Sequence, residues 1–249
     1  MTAFNALILA GSRGGMDPVA DYAGVSQKGL IRLQDRTLLA RVVEAVAAAG
    51  ATRIGVSTDD SGVRDALDGL PAEALTPGPG PSQSVRLGAE ALGTPLLVTT
   101  VDHALLRPEW ISRFLADIPS DADVAALVAR RDVVEAAAPG TARTYLRFAD
   151  GEWSGCNLFF LANPRALGVV DLWRRVEAER KKPWRIAGLL GAGTLLSYAT
   201  GRLTLDRAGR RLGELADVRA AVVPSPFGLA AVDVDKPADL DLVRRLVEA

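Results

Sequence analysis

Two cations and two acids are spaced along this chain as though to hold a polyphosphate. In LILAGSRGGMDPVADYAGVSQKGLIRL, residues 7–33, a short apolar run ends at Ala10 and gives way to Gly11, Ser12, Arg13, Gly14 and Gly15. Lys28 then stands just before the next apolar run. Glycine accepts φ > 0 without steric cost, so backbone N–H groups there can turn toward an anion. A guanidinium can fork two hydrogen bonds onto phosphate oxygens, whereas an ammonium is a compact point charge. Together they describe a phosphate cradle; the plainer reading is a surface loop whose Arg and Lys are solvated. Two familiar phosphate motifs are excluded by spacing, because the glycines at 11, 14 and 15 do not make G-x-G-x-x-G and Lys28 is followed by Gly29. Downstream, LLVTTVD ends on Asp102, and AAVDVDKPADL carries Asp233 and Asp235, which share a face if that segment is a strand. Mg²⁺ takes one or two carboxylates and fills its shell with phosphate oxygens and water. The plainer roles are a turn for Asp102 and a helix cap for Asp235.

These residues need a scaffold that brings distant segments to one place. ALILA, RIGVST and PLLVTTVD read as buried strands, with helices between them over TLLARVVEAVAAAG, near DSGVRDALDG, and from Pro108. Thr37 is placed to cap the first of those helices and Gly50 to end it. Regular alternation predicts an α/β fold with a mostly parallel central sheet between two layers of helices. In such sheets ligands bind beyond the carboxyl ends of the strands, where the loop from Gly11 to Lys28 begins. The second half is less regular. DVAALVAR, TYLRFADG, GCNLFFLA, AAVVPS and LAAVDVD read as strands, with DGEW a hairpin turn, and residues 164–216 form a helical elaboration interrupted at Pro183. A last helix follows Pro237. No linker divides the chain, so residues 1–249 are expected to be a single domain.

Composition narrows the class. A formal charge of −1 over 249 residues lacks the basic excess of a general nucleic-acid binder. The single cysteine, Cys156, cannot close an internal disulfide, and MTAFNALILA lacks the basic start of a signal peptide. The apolar stretch from Ile186 to Gly201 is too short to span a membrane, although the basic ERKKPWR before it leaves surface contact open. A cytoplasmic monomer or homodimer is expected, with no integral membrane segment.

The opening LILAGSR, the following KGLI and the helix RTLLARVVEA resemble the MobA-like NTP transferase family, whose fold is of glycosyltransferase-A type. The resemblance implies that Leu9, Ala10, Gly11, Ser12 and Arg13 hold an incoming NTP together with Lys28. Arg13 and Lys28 would be the catalytic cations. The spacer GGMDPVADYAGVSQ is longer than the family's usual one, and within it Asp17 alone is singled out. VDHALL is similar to the family's D-x-P-L-L, which makes Asp102 a metal ligand, with Ala104 where Pro is common. VDVDKPADL is similar to V-D-T-P-E-D-L, which makes Asp235 the second ligand, with Asp233 two residues upstream able to share the ion and Lys236 in place of Thr. Gly80, Ser82 and Ser84 in TPGPGPSQS would contact base and ribose, and Ser82 is equally a helix cap. In SGCN, Gly155 and Asn157 would meet the acceptor, while His103 is a turn residue first and an acceptor contact second. Arg180, Lys181, Lys182 and Arg185 could grip an acceptor phosphate or simply complement a helix end.

The implied activity is Mg²⁺-dependent transfer of NMP from an NTP, CTP or GTP favoured, to a phosphorylated or hydroxyl small-molecule acceptor, with release of pyrophosphate. The alternatives are a glycosyltransferase using a nucleotide-sugar and a non-catalytic nucleotide sensor.

Overall fold

Leu38, Leu39, Val42, Val43 and Val46 recur at helical spacing, and all five are buried on one side of a helix over Leu38–Ala48. The Thr37 hydroxyl accepts from the Ala40 N–H at 3.1 Å and caps its start. The computed structural model describes residues 3–11, 17–178 and 191–248. Among them the strands are β1 (Phe4–Leu9), β2 (Arg32–Leu33), β3 (Arg36–Thr37), β4 (Ala51–Ser57), β5 (Glu73–Leu75), β6 (Leu96–Thr100), β7 (Val124–Arg130), β8 (Leu146–Phe148), β9 (Gly151–Leu161) and β10 (Ala220–Ser225). The helices are α1 (Pro18–Tyr22), α2 (Leu38–Ala48), α3 (Ser61–Asp65), α4 (Pro81–Leu92), α5 (Pro108–Asp117), α6 (Arg131–Ala137), α7 (Leu167–Ala178), α8 (Ala192–Ala199), α9 (Leu205–Leu215) and α10 (Pro237–Glu248).

The main sheet runs β10-β7-β9-β6-β1-β4-β5, with β8 paired to β9. β1 is parallel to both β4 and β6, β4 to β5, and β7 to β10, while β9 runs against β6 and β7. Leu9 pairs with Ser57 on one side and Thr100 on the other, so three strands end together at one edge. The chain order reverses at β1, with β4 to one side and β6 to the other, which is where open α/β sheets form a ligand crevice.

One face of the sheet packs Ile8, Val56 and Leu97 against Val42, Val46, Ile111 and Phe114 of α2 and α5. The other buries Leu7 and Val98 against Ala89 and Leu92 of α4 and Val170 of α7. A third cluster, bridged to the first by Leu105 and Leu229, includes Val19, Ile31, Leu33, Leu38, Val232, Val234, Leu240 and Val243. It joins α1 and α10 beneath the segments that carry the candidate acids.

Two local expectations need correction. LAAVDVD is not a strand: Gly228–Ala231 is a 3-10 turn, residues 232–235 have no ladder partners, and Lys236 is a bend before the last helix. The residue types alternate as in a strand, but Val232, Asp233 and Val234 are all buried and join no sheet. The stretch after β1 is also not all loop, because Asp17 caps α1 by accepting from Val19 and Ala20 N–H at 2.9 and 3.2 Å, with Pro18 first in the helix. The helical elaboration is present in α7, α8 and α9, and no helix among the described residues is long and apolar enough to cross a membrane.

Candidate active site

Lys28 opens a 3-10 turn, Lys28–Leu30, held from behind by Gln27. The buried Gln27 amide donates to the Ala10 carbonyl at 2.8 Å, and its carbonyl accepts from the Gly29 N–H. Gln27 therefore ties the exit of β1 to the turn that presents Lys28. Gly29 allows close approach, since a Cβ there would lie 2.9 Å from Val101 Cγ2. Val101 in turn donates its N–H to Leu9 O at 3.0 Å and precedes Asp102. Leu9 and Ala10 are thus spent on internal bonding: the Ala10 N–H goes to Ser57 O and its carbonyl to Gln27. Gly11 follows them, and an added Cβ there would meet none of the described residues within 4 Å. Ser12 and Arg13 lie outside the described residues.

The Lys28 ammonium donates to Asp102 Oδ2 at 2.6 Å and to Asp235 Oδ1 and Val234 O, each at 3.4 Å. Asp17 Oδ2 is 4.0 Å away. Burial alone would lower the lysine pKa, but the charge and hydrogen bond of Asp102, helped by Asp235 and Asp17, outweigh it and hold the group above its ordinary value. Lys28 is 18% exposed and Asp235 56% exposed by side chain, so a ligand can reach this point. Capping at the start of α10 falls to Asp239 and not to Asp235: the Asp239 Oδ2 accepts from Asp235 and Lys236 N–H at 3.2 and 2.9 Å.

Asp233 faces the same way but is engaged. Arg143 donates to its carbonyl at 3.1 Å and to its carboxylate, and Asn157 Nδ2 donates to the other oxygen at 2.6 Å. Burial pushes the Asp233 carboxyl up to about 6 against the pull of Arg143, with Asp235 and Asp102 adding to the rise. Asn157 sits at φ 48° where the β7–β9 register shifts, a bulge that turns its amide toward Asp233. Gly155, two residues earlier in β9, is exposed.

The donor set fits a divalent cation. Asp17, Asp102, Asp233 and Asp235 against Lys28 and Arg143 leave two negative charges in excess, and Asp102 and Asp235 already converge on one ammonium. Among the described residues no group of three or more His, Cys, Asp or Glu could hold a metal, so an ion on these two carboxylates would complete its shell with phosphate and water.

The remaining candidates separate by burial and contacts. His103 is in the core against Trp110, and burial lowers its pKa to about 4, so it neither lines the site nor titrates near neutrality. Cys156 is buried and its thiol pushed up by desolvation, which removes a nucleophilic role. α4 starts from Gly80 with Pro81 first, so Ser82 is not its cap. Ser84 Oγ accepts from the Gly78 N–H at 3.0 Å and shapes the loop before the helix. Arg180, Lys181, Lys182 and Arg185 lie outside the described residues. Gln27 and Arg143 are the residues that sequence reading missed; besides the local Gly29 N–H, their partners Ala10 and Asp233 are 17 and 90 residues away.

The family model of the MobA-like NTP transferase domain matches residues 6–181. A solved structure described as a hypothetical transferase from Thermus thermophilus is 30% identical, with TM-score 0.82 over 96% of this chain and 100% of that one. A 2-C-methyl-D-erythritol 4-phosphate cytidylyltransferase, also from Thermus thermophilus, shares the fold at 18% identity and TM-score 0.55, covering 100% of both chains. A CMP:2-keto-3-deoxy-manno-octonic acid synthetase solved with CTP does so at 17% identity and TM-score 0.56, covering 98% of each. No protein of curated function matches the sequence.

Proposed function

This chain belongs to the MobA-like NTP transferase family and is a nucleotidyltransferase, and from that premise we propose that it moves NMP from an NTP to a phosphate or hydroxyl oxygen of a small-molecule acceptor. The observation that carries this reading is the Lys28 ammonium held between Asp102 and Asp235 at the switch point of the sheet. CTP is the first donor to test, because cytidylyl transfer is the printed activity of one structural neighbour and CTP the ligand of another.

In the proposed reaction the acceptor oxygen attacks the α-phosphorus, the bond from that phosphorus to the bridging oxygen breaks, and pyrophosphate leaves with the electron pair. Lys28 and Arg13 stabilise negative charge on the α-phosphate and the leaving group. Asp102 and Asp235 would hold Mg²⁺, which when bound neutralises phosphate charge. Gly11 and Ser12 would cradle the phosphates, and Gly80, Ser82 and Ser84 would contact base and ribose. Gly155 and Asn157 face the acceptor. A phosphate acceptor needs no strong base, so positioning and charge neutralisation supply most of the rate.

Thermal unfolding with CTP, GTP, ATP and UTP, each with and without Mg²⁺, tests this in wild type and Asp102→Asn. At ~100 times its dissociation constant a ligand adds about 2.7 kcal/mol, a rise of several degrees. A Mg²⁺-dependent rise with one nucleotide, lost in the variant, is expected. No rise with any nucleotide would overturn the assignment. Release of nucleoside diphosphate from a nucleotide-sugar, in place of pyrophosphate from an NTP, would move the chain to sugar transfer.

A further inference from the structure

Asp235 lies on a stretch that no sheet holds. Residues 232–236 have no ladder partners, yet Asp235 meets the same ammonium as Asp102, which lies in the turn just after a paired strand. Something other than a ladder must fix the register of this stretch. Val232, Asp233 and Val234 are all buried, and the Val234 N–H donates to Asp102 O at 3.0 Å. The far end is held by Asp239, whose Oδ2 accepts from the Asp235 and Lys236 N–H groups, and the near end by the Val232 N–H on Leu229 O; Asp233, between them, is held by side chains.

We propose that Arg143 is a positioning residue that aims Asp235: its guanidinium clamps Asp233 by backbone carbonyl and carboxylate together, fixing the peptide from which Val234 and Asp235 extend. The geometry requires a fork, because one terminal nitrogen takes the carbonyl at 3.1 Å while the other takes the carboxylate of the same residue. A lysine point charge cannot make both bonds in fixed relation. The clamp is only 10% exposed on either partner, so water does not compete for it. Asn157 closes the other carboxylate oxygen from the β9 bulge, which ties residues 141–145, β9 and residues 232–236 at one point. Both terminal nitrogens of Arg143 bond to Asp233, and its Nε is buried without a hydrogen-bond partner among the described residues. From this anchor the chain runs through Val234, whose carbonyl accepts from Lys28, to Asp235.

The role given to Arg143 rests on the nucleotidyl-transfer reading, and one experiment separates the two. Wild type, Arg143→Lys and the charge-neutral pair Arg143→Gln/Asp233→Asn are compared by thermal unfolding, by Mn²⁺ binding in the presence of CTP followed by electron paramagnetic resonance, and by the kcat and KM for pyrophosphate release. Loss of a residue that orients a metal ligand costs on the order of 10–100-fold in metal affinity or activity. We expect the Mn²⁺ concentration at half-saturation to rise by roughly 10-fold or more and kcat to fall in step, in both variants, with the KM for CTP changed less. The charge-neutral pair guards against misfolding from a lone buried carboxylate, and Arg143→Lys guards against loss of charge as the cause. Wild-type Mn²⁺ half-saturation in folded variants, with only the unfolding temperature lowered, would overturn the positioning role. If wild type itself neither binds Mn²⁺ with any of the four NTPs nor releases pyrophosphate, the nucleotidyl-transfer reading fails instead, and the role assigned to Arg143 falls with it.

Discussion

Asp102 and Asp235 converge on one lysine, yet they are held by different kinds of structure. Asp102 follows β6, which is paired with β1 on one side and β9 on the other, so its position is shared among many backbone bonds. Asp235 follows an unpaired stretch fixed by Arg143, Asn157, Asp239 and the third apolar cluster. The first arrangement spreads the cost of any single change across a ladder. The second concentrates it in a few side chains, so its geometry can be altered by one substitution while the sheet stays intact.

Three further measurements break or sharpen that contrast. The largest effect is expected at Lys28, which touches both halves. Lys28→Ala should lower the chemical rate by on the order of 10²–10³, as for loss of one preorganised donor, in single-turnover assays of pyrophosphate release. Unchanged turnover would remove Lys28 from the mechanism. Next is Gly29→Ala on the laddered side, where the new Cβ would lie 2.7 Å from Gln27 Oε1 and 2.9 Å from Val101 Cγ2. Overpacking of this kind costs about 1–3 kcal/mol, read as a lower midpoint in urea; an unchanged midpoint would show that the turn yields freely and that Gln27 does not fix it.

The smallest effect is expected at the far edge of the sheet, away from the site. Asp123 accepts from the Arg219 N–H and the Asn163 amide, which hold its carboxyl below the ordinary range. A depressed native pKa contributes stability that is present above the unfolded value and is lost as pH falls through the native one. Asp123→Asn should therefore cost roughly 1 kcal/mol at pH 7, and the gap to wild type should begin to narrow below about pH 4 and close as the pH falls through the native pKa. A gap that persists at pH 2 would mean the carboxylate charge is not what binds β7 to β10.

Much of the laddered half was legible in the sequence. Apolar runs marked β1, β4 and β6, Thr37 announced α2, and Asp102 fell at a strand end because the run before it stopped there. The unladdered half was harder. VDVD has strand alternation, and only the absence of a neighbouring edge distinguishes it from one, which no local pattern encodes. Asp17–Pro18 did carry a readable helix start, a capping acid before a proline, hidden by the glycines around it. Gln27 and Arg143 had no such signal. A glutamine or arginine acquires its role only when folding delivers a specific carbonyl to it, and those carbonyls belong to Ala10 and Asp233.

The Gln27 bridge has a consequence for how such a site can change over time. With one side-chain amide joining Ala10 to Gly29, the two ends of the intervening stretch are pinned as if by a clasp, and the lysine sits on the clasp and not on the cord. Doubling the length of a flexible cord adds only about 0.6 kcal/mol of closure entropy. Insertions in the turn at residues 23–26 can therefore accumulate without displacing Lys28.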